Sequence, residues 1–116
     1  MLYKIEKSQF DRIYKIMEES FPIDEHRPYL EQKKLLEKPE YAIYGAGEKA
    51  GEIRGFFAVW LLDELLFVEH FAVDAAYRNS GLGTRMLEEL KILTGKRLCL
   101  EVELPEDSLT KRRVAF

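Results

Sequence analysis

One short stretch in this 116-residue chain combines residue types that can hold an anion: Arg78-Asn79-Ser80-Gly81-Leu82-Gly83-Thr84. It follows a run rich in Phe and Val that ends at Val73. It opens onto Met86, Leu87, Leu90 and Leu93, whose three- and four-residue spacing predicts a helix with those side chains buried. Backbone N–H groups at a helix start lack internal partners, and the peptide dipoles add about half a positive charge there. Glycines let a backbone approach a phosphate closely, and Arg78 supplies a planar guanidinium fork. A diphosphate fits this chemistry. A Gly-x-Gly turn also serves merely to join a strand to a helix. The weight therefore rests on the conjunction of strand, basic residue three before the first glycine, glycine pair and amphipathic helix. Two rival patterns fit less well. The Rossmann fingerprint needs glycine where Met86 stands, and a P-loop needs a lysine that Gly83-Thr84 lacks.

Other reactive types are scattered. Glu69 and His70 fall in the strand before the glycine turn, and regular alternation would put them on opposite faces, leaving His70 packed or solvated. Glu25, His26 and Arg27 form a polar loop. Cys99, the single cysteine, sits in the strand-like Arg97–Val102 and reads as a small buried hydrophobe.

The elements that must position these groups follow from periodicity. Leu2 to Glu6 reads as a short first strand, and Ser8 is placed to cap a helix with Phe10, Ile13, Met17 and Phe21 on one face, stopped by Pro22. Pro28 opens a second helix to about Glu37 carrying Leu30, Leu35 and Leu36. Strands are predicted at Tyr41–Gly45, Ile53–Leu62 and Leu65–Val73, then a helix over Leu82–Leu93 closed by Gly95, and a strand over Leu98–Leu104 stopped by Pro105. Leu109–Phe116 reads as the opening of another helix. The order β-α-α-β-β-β-α-β predicts a mixed α/β sheet, mostly antiparallel, with the strand after the glycine helix parallel to its predecessor.

Composition bounds the rest. The length suits one domain spanning residues 1–116. Hydrophobic residues at 47% and charged residues at 34% describe a globular chain. A net charge of −3 gives no general ground for binding nucleic acid or an anionic membrane. A lone cysteine excludes an internal disulfide framework and fits a cytoplasmic setting. The N-terminus lacks the apolar core of a signal peptide, and no stretch approaches the roughly 20 apolar residues of a membrane span.

Arg78-x-x-Gly81-x-Gly83 resembles the acetyl-CoA signature of the GCN5-related N-acetyltransferases (GNAT), Arg/Gln-x-x-Gly-x-Gly/Ala. Glu69-His70-Phe71-Ala72-Val73 followed by Asp74-Ala75-Ala76-Tyr77-Arg78 looks like that family's fourth strand and turn, and the resemblance extends from the first strand through the fifth. It implies an acyl-CoA N-acyltransferase fold whose fourth strand bulges and splays from the fifth, leaving main-chain groups of Phe71, Ala72 and Val73 for the pantetheine arm. Backbone N–H groups of Asn79, Ser80, Gly81, Leu82, Gly83 and Thr84 would hold the diphosphate, assisted by Arg78. The implied reaction is attack of a neutral amine, from a small molecule or peptide, on the thioester of acetyl-CoA, with no metal. Glu69 is then the first candidate for the base, and Glu25, His26 and Arg27 border the acceptor pocket. A non-catalytic CoA-binding or interaction module on the same scaffold is the alternative, and an unrelated anion-binding domain a third. The resemblance also implies a tyrosine general acid and two closing strands beyond Arg112-Arg113-Val114-Ala115-Phe116. From that the domain is expected to be incomplete at its C-terminus, with the fifth strand as an open edge that favours a homodimer.

Overall fold

The computed structural model describes residues 1–49, 51–104 and 107–115, with side chains up to Leu100. Its strands are β1 (Leu2–Lys4), β2 (Tyr41–Ala46), β3 (Gly55–Leu61), β4 (Leu65–Val73), β5 (Arg97–Leu104) and β6 (Asp107–Ala115). Its α-helices are α1 (Phe10–Ser20), α2 (Tyr29–Lys34) and α3 (Leu82–Thr94). The strands form one sheet in sequential order, and every pair is antiparallel except β4 and β5. That parallel pair needs a crossover, and α3 supplies it.

Alternation along β2 and β3 gives the sheet two apolar faces. Phe10, Ile13, Ile16 and Met17 of α1 pack with Tyr41, Ile43, Phe56 and Ala58 on one. Leu82, Met86 and Leu90 of α3 pack with Phe57, Val59, Leu66 and Leu98 on the other. Gly55 permits the second contact. A Cβ there would lie 2.9 Å from the Ala72 carbonyl oxygen and 3.0 Å from Met86 Sδ. Buried Gln32 of α2 donates to the Tyr41 hydroxyl, so the polar atoms under that helix have partners.

Several expectations need correcting. Ser8 caps nothing: Lys7–Gln9 is a 3-10 turn, and Glu6 and Gln9 satisfy each other's backbone N–H groups instead. The second helix is α only to Lys34, continues as a 3-10 turn to Glu37, and leaves Leu30 75% exposed. Leu93 is 54% exposed, so the buried face of α3 is Leu82, Met86 and Leu90. Cys99 is half-buried rather than buried.

The largest correction concerns the C-terminal segment. Leu109 to Ala115 is strand, not helix (Phe116 lies outside the described residues). β6 pairs antiparallel with β5 from Cys99↔Ala115 to Leu104↔Asp107. An eight-residue helix has little stability of its own, whereas β5 offers a whole row of backbone groups. The open β5 edge is thus covered, and the homodimer expected through it loses that basis. Among the described residues no helix is long and apolar enough to cross a membrane.

Leu90 and Leu93 lie three residues apart on α3 with opposite burial. Leu90→Ala should cost about 2–5 kcal/mol, the range for a buried leucine. Leu93→Ala should stay within about 0.5 kcal/mol of the parent. Urea unfolding of both variants checks the assignment of the helix face.

Candidate functional site

The ladder between β4 and β5 covers Leu65–Val68 against Arg97–Leu100 and then ends, although β4 continues to Val73 and β5 to Leu104. Past Val68 the two parallel strands separate. β4 remains paired to β3 as far as Val73↔Gly55. The Asp74 N–H donates to the Arg54 carbonyl at 2.7 Å and fixes the phase of that ladder. Residues of an antiparallel strand turn their N–H and C=O groups to alternate sides. His70 and Ala72 therefore face β3, while Phe71 and Val73 face the gap. Of the three residues implicated from sequence, Ala72 belongs to the β3 ladder, while Phe71 and the Val73 N–H are available.

The turn after β4 is tied down from both sides. The Asp74 carboxylate accepts from the Arg12 guanidinium of α1 and, at 2.9 Å, from the Ala76 N–H. The Arg12 bond first, and the Ala76 N–H second, hold its carboxyl below the usual range. Arg78 donates from Nε to the Val73 carbonyl at 3.1 Å and reaches Ser20 Oγ of α1 at 3.5 Å. Its guanidinium therefore sits over the mouth of the gap. The Ser80 hydroxyl donates to the Tyr77 carbonyl.

Asn79 and Gly81 both adopt left-handed backbone, with φ of 63° and 80°. Gly81 is the N-cap of α3 but has no side chain to cap it, and the first helical bond runs from the Arg85 N–H to the Gly81 carbonyl at 3.2 Å. The N–H groups of Leu82, Gly83 and Thr84 consequently have no partner within the helix. A Cβ at Gly83 would meet Phe71 Cζ at 3.4 Å, an ordinary contact. Packing does not demand a glycine there. Approach by a ligand would.

The other half of the site comes from an irregularity in β4. Ala58 of β3 pairs with His70 and Val59 with Val68, so Glu69 is an extra residue bulged out of the ladder. Before the bulge, Leu66 and Val68 face α3; after it, Ala72 packs with α1, as His70 does through Phe21. The expectation that His70 points away from Glu69 is therefore corrected: both side chains lie on the α1–α2 side, with His70 Nδ1 3.7 Å from Glu69 Oε1.

Glu69 is held by a bidentate pair from Arg27, Nη1 to Oε1 at 2.6 Å and Nη2 to Oε2 at 2.9 Å. Burial acts to raise the Glu69 carboxyl. The Arg27 bonds and charge outweigh it and hold the group below its ordinary 4.5. His70 Nε2 donates to the Glu25 carbonyl at 2.8 Å. Glu25 and Arg27 thus meet β4, while His26 turns to α1, its ring edge-on to Tyr14 at 5.6 Å. Sequence reading missed Arg12 and Tyr14, which fasten the turn and the loop. It also missed Trp60, Leu65 and Phe67, which with Leu62 and Cys99 line a shallow cavity of about 270 Å³. Cross-strand pairing of Trp60 with Phe67 was the available signal, but it needed the register.

A mixed sheet split beyond the middle of its fourth strand, with an uncapped glycine-bearing helix start at the split, defines the acyl-CoA N-acyltransferase fold. The chain belongs to the acetyltransferase (GNAT) family, whose model matches residues 10–111. A GNAT-family protein from Bacteroides thetaiotaomicron is 28% identical, with a TM-score of 0.81 over 94% of this chain and 64% of its own. The ribosomal-protein-S18-alanine N-acetyltransferase from Escherichia coli shares the fold at 20% identity, with a TM-score of 0.71 over 90% of this chain and 68% of its own. A Mycobacterium tuberculosis protein solved with CoA shares it at 15% identity, TM-score 0.70, over 91% of this chain and 66% of its own. The chain thus spans roughly two thirds of the length of these structures. No curated protein sequence matches it significantly.

The Glu69 carboxyl is depressed in the folded state. Its contribution to stability is present above its unfolded value near 4.5 and is lost as pH falls through the folded value. Glu69→Gln should therefore cost about 1–3 kcal/mol at pH 7, with the gap to the parent closing in strong acid. Urea unfolding at pH 7 and pH 3 measures it. An equal gap at both would mean that the Arg27 pair contributes no charge-dependent stability.

Proposed function

We propose that residues 1–116 form a single N-acetyltransferase domain that binds acetyl-CoA in the gap between β4 and β5 and transfers its acetyl group to a primary amine of a small molecule or peptide. The observation that carries the reading is the continuity of unpaired donors. Phe71 and Val73 present main-chain groups along the open side of β4. The gap leads to three uncapped N–H groups at the start of α3, with Arg78 beside them. A long ligand with an amide-bearing arm and an anionic diphosphate matches that order of groups. Asn79, Ser80 and Gly81 complete the loop, and Gly81 keeps it open: φ of 80° disfavours any side chain.

The transfer forms a C–N bond and breaks a C–S bond, so the nitrogen loses a proton and the sulfur gains one. A main-chain N–H on the open edge of β4 is suited to polarise the thioester carbonyl. Glu69, ionised at neutral pH, is a weak base by virtue of its Arg27 pair. It acts best by stabilising the positive charge that grows on nitrogen and by accepting the proton through a water. Arg27 and the Glu25–His26 segment then border the amine. The setting is cytoplasmic, and no metal is needed.

A second reading, an acyl-CoA-binding module without transfer, is favoured by one observation: Arg27 occupies both Glu69 oxygens. Acetyl-CoA at about 100 times its dissociation constant should stabilise the fold by about 2.7 kcal/mol, and Arg78→Ala should weaken binding roughly tenfold. A melting scan with acetyl-CoA and with ADP checks this, and an equal response to both would sink the CoA assignment. Release of free thiol with a panel of primary amines separates the readings. Binding without release on any amine supports the module.

A further inference from the structure

The bulge at Glu69 leaves one group that the proposed transfer does not use. His70 is 5% exposed, and its ring packs edge-on to Phe21 at 4.9 Å. Nε2 lies 2.8 Å from the Glu25 carbonyl oxygen. A carbonyl only accepts, so this nitrogen carries the hydrogen. Nδ1 is buried without a hydrogen-bond partner and faces the Glu69 carboxylate at 3.7 Å. Two successive residues of β4 therefore grip the α1–α2 connection at two points: His70 at the Glu25 main chain and Glu69 at the Arg27 side chain. Tyr14 adds a third fastening, donating to the Arg27 carbonyl at 2.9 Å.

We propose that His70 is a positioning residue: as the neutral Nε2–H tautomer it latches the α1–α2 connection to β4, holding Arg27 against Glu69, and it releases that connection when Nδ1 takes a proton. The assignment of Glu69 and Arg27 to the acceptor side rests on the transfer reading, but the latch itself does not. The bond to Glu25 fixes where the connection sits. The ion pair alone could form in many places, because both side chains are long and Arg27 reaches it from a loop.

Protonation changes the balance for a structural reason. A proton on Nδ1 charges a ring that is 5% exposed and packed edge-on to Phe21, a cost that opening the connection to water relieves. The new N–H donates toward Glu69 Oε1 in competition with Arg27. The charged groups around the ring are Glu69 on its own strand and Arg27, with His26, on the connection; from the Glu25 residue it is the carbonyl that meets the ring. Burial first, then the Arg27 and His26 charges, lower the His70 titration, against the pull of the Glu25 bond and of Glu69. The neutral latch is therefore the state at neutral pH. Because the folded value lies below the unfolded one near 6.5, the stabilisation is full above pH 6.5 and is lost as pH falls toward the folded value.

Three forms of the whole chain test this: the parent, His70→Leu, which keeps bulk but no donor, and His70→Gln, whose amide N–H reaches toward the same carbonyl and does not titrate. Long-range nitrogen NMR of the two histidines, with His26→Gln to assign them, should report His70 as the Nε2–H tautomer at pH 7. Amide exchange of residues 23–27 should be about tenfold faster in His70→Leu and close to the parent in His70→Gln. Exchange in α3 and calorimetric binding of CoA should be unchanged in both. On acidification toward pH 5 the parent should lose loop protection and His70→Gln should keep it. An Nδ1–H tautomer, unchanged exchange in His70→Leu, or equal acid sensitivity in His70→Gln would each overturn the proposal. Failure of the parent to bind CoA would overturn the transfer reading alone, since the tautomer and exchange results do not depend on it.

Discussion

Strand β4 carries one residue more than β3 can match, and that residue is Glu69. The bulge does two things at once. It reverses the facing of every later side chain on the strand, so that Phe71 and Val73 meet α3 and His70 meets α1. It also increases local twist, and here β4 turns away from β5 at the same point: their shared ladder ends at Val68, one residue earlier. Without the extra residue, regular alternation would carry His70 to the α3 face. The grip on the α1–α2 connection and the gap beside Phe71 and Val73 are consequences of one inserted position.

Around that position the molecule is fastened by long-range polar contacts rather than by local ones. Arg12 of α1 holds Asp74, the first residue beyond β4, and Arg27 holds Glu69 across forty-two residues. Hydrogen bonds to charged groups contribute about 1.5–3 kcal/mol each when well formed, less where one partner is partly exposed. Their importance here is geometric. They set the glycine turn and the α1–α2 connection relative to a strand whose own ladder is incomplete. α3 needs no such help, since Leu82, Met86 and Leu90 are almost wholly buried against the sheet.

Legibility in the sequence follows the same division between local and long-range causes. The bounds of β4 and the course of α3 were readable because two-residue and 3.6-residue periods are local, and so was the helix start at Gly81. A bulge is a mismatch of count between two strands, so Glu69 and His70 could not be placed on one face from β4 alone. The pair Arg27–Glu69 joins two segments with no common pattern. Leu109–Ala115 misled for a related reason. Its apolar spacing admits a helix, but the neighbouring edge of β5 decides for a strand. Leu93 fits the helical stripe yet lies at the end of α3, past the sheet that would cover it.

The electrostatics of the bulge also limit the kind of chemistry that the site can perform. A carboxylate raised by burial would be a stronger base, and burial does act that way on Glu69. Arg27 more than cancels it. Proton abstraction from a free ammonium by such a group is unfavourable by several powers of ten in acidity, since amines titrate near the lysine value of about 10. The carboxylate is nonetheless fixed in place by Arg27 and charged at neutral pH. A fixed negative charge favours a cation over a neutral molecule in the ground state, and favours a nitrogen becoming cationic as it attacks. On the transfer reading proposed above, the bulge would offer an amine's developing charge a fixed carboxylate and would leave the proton to water.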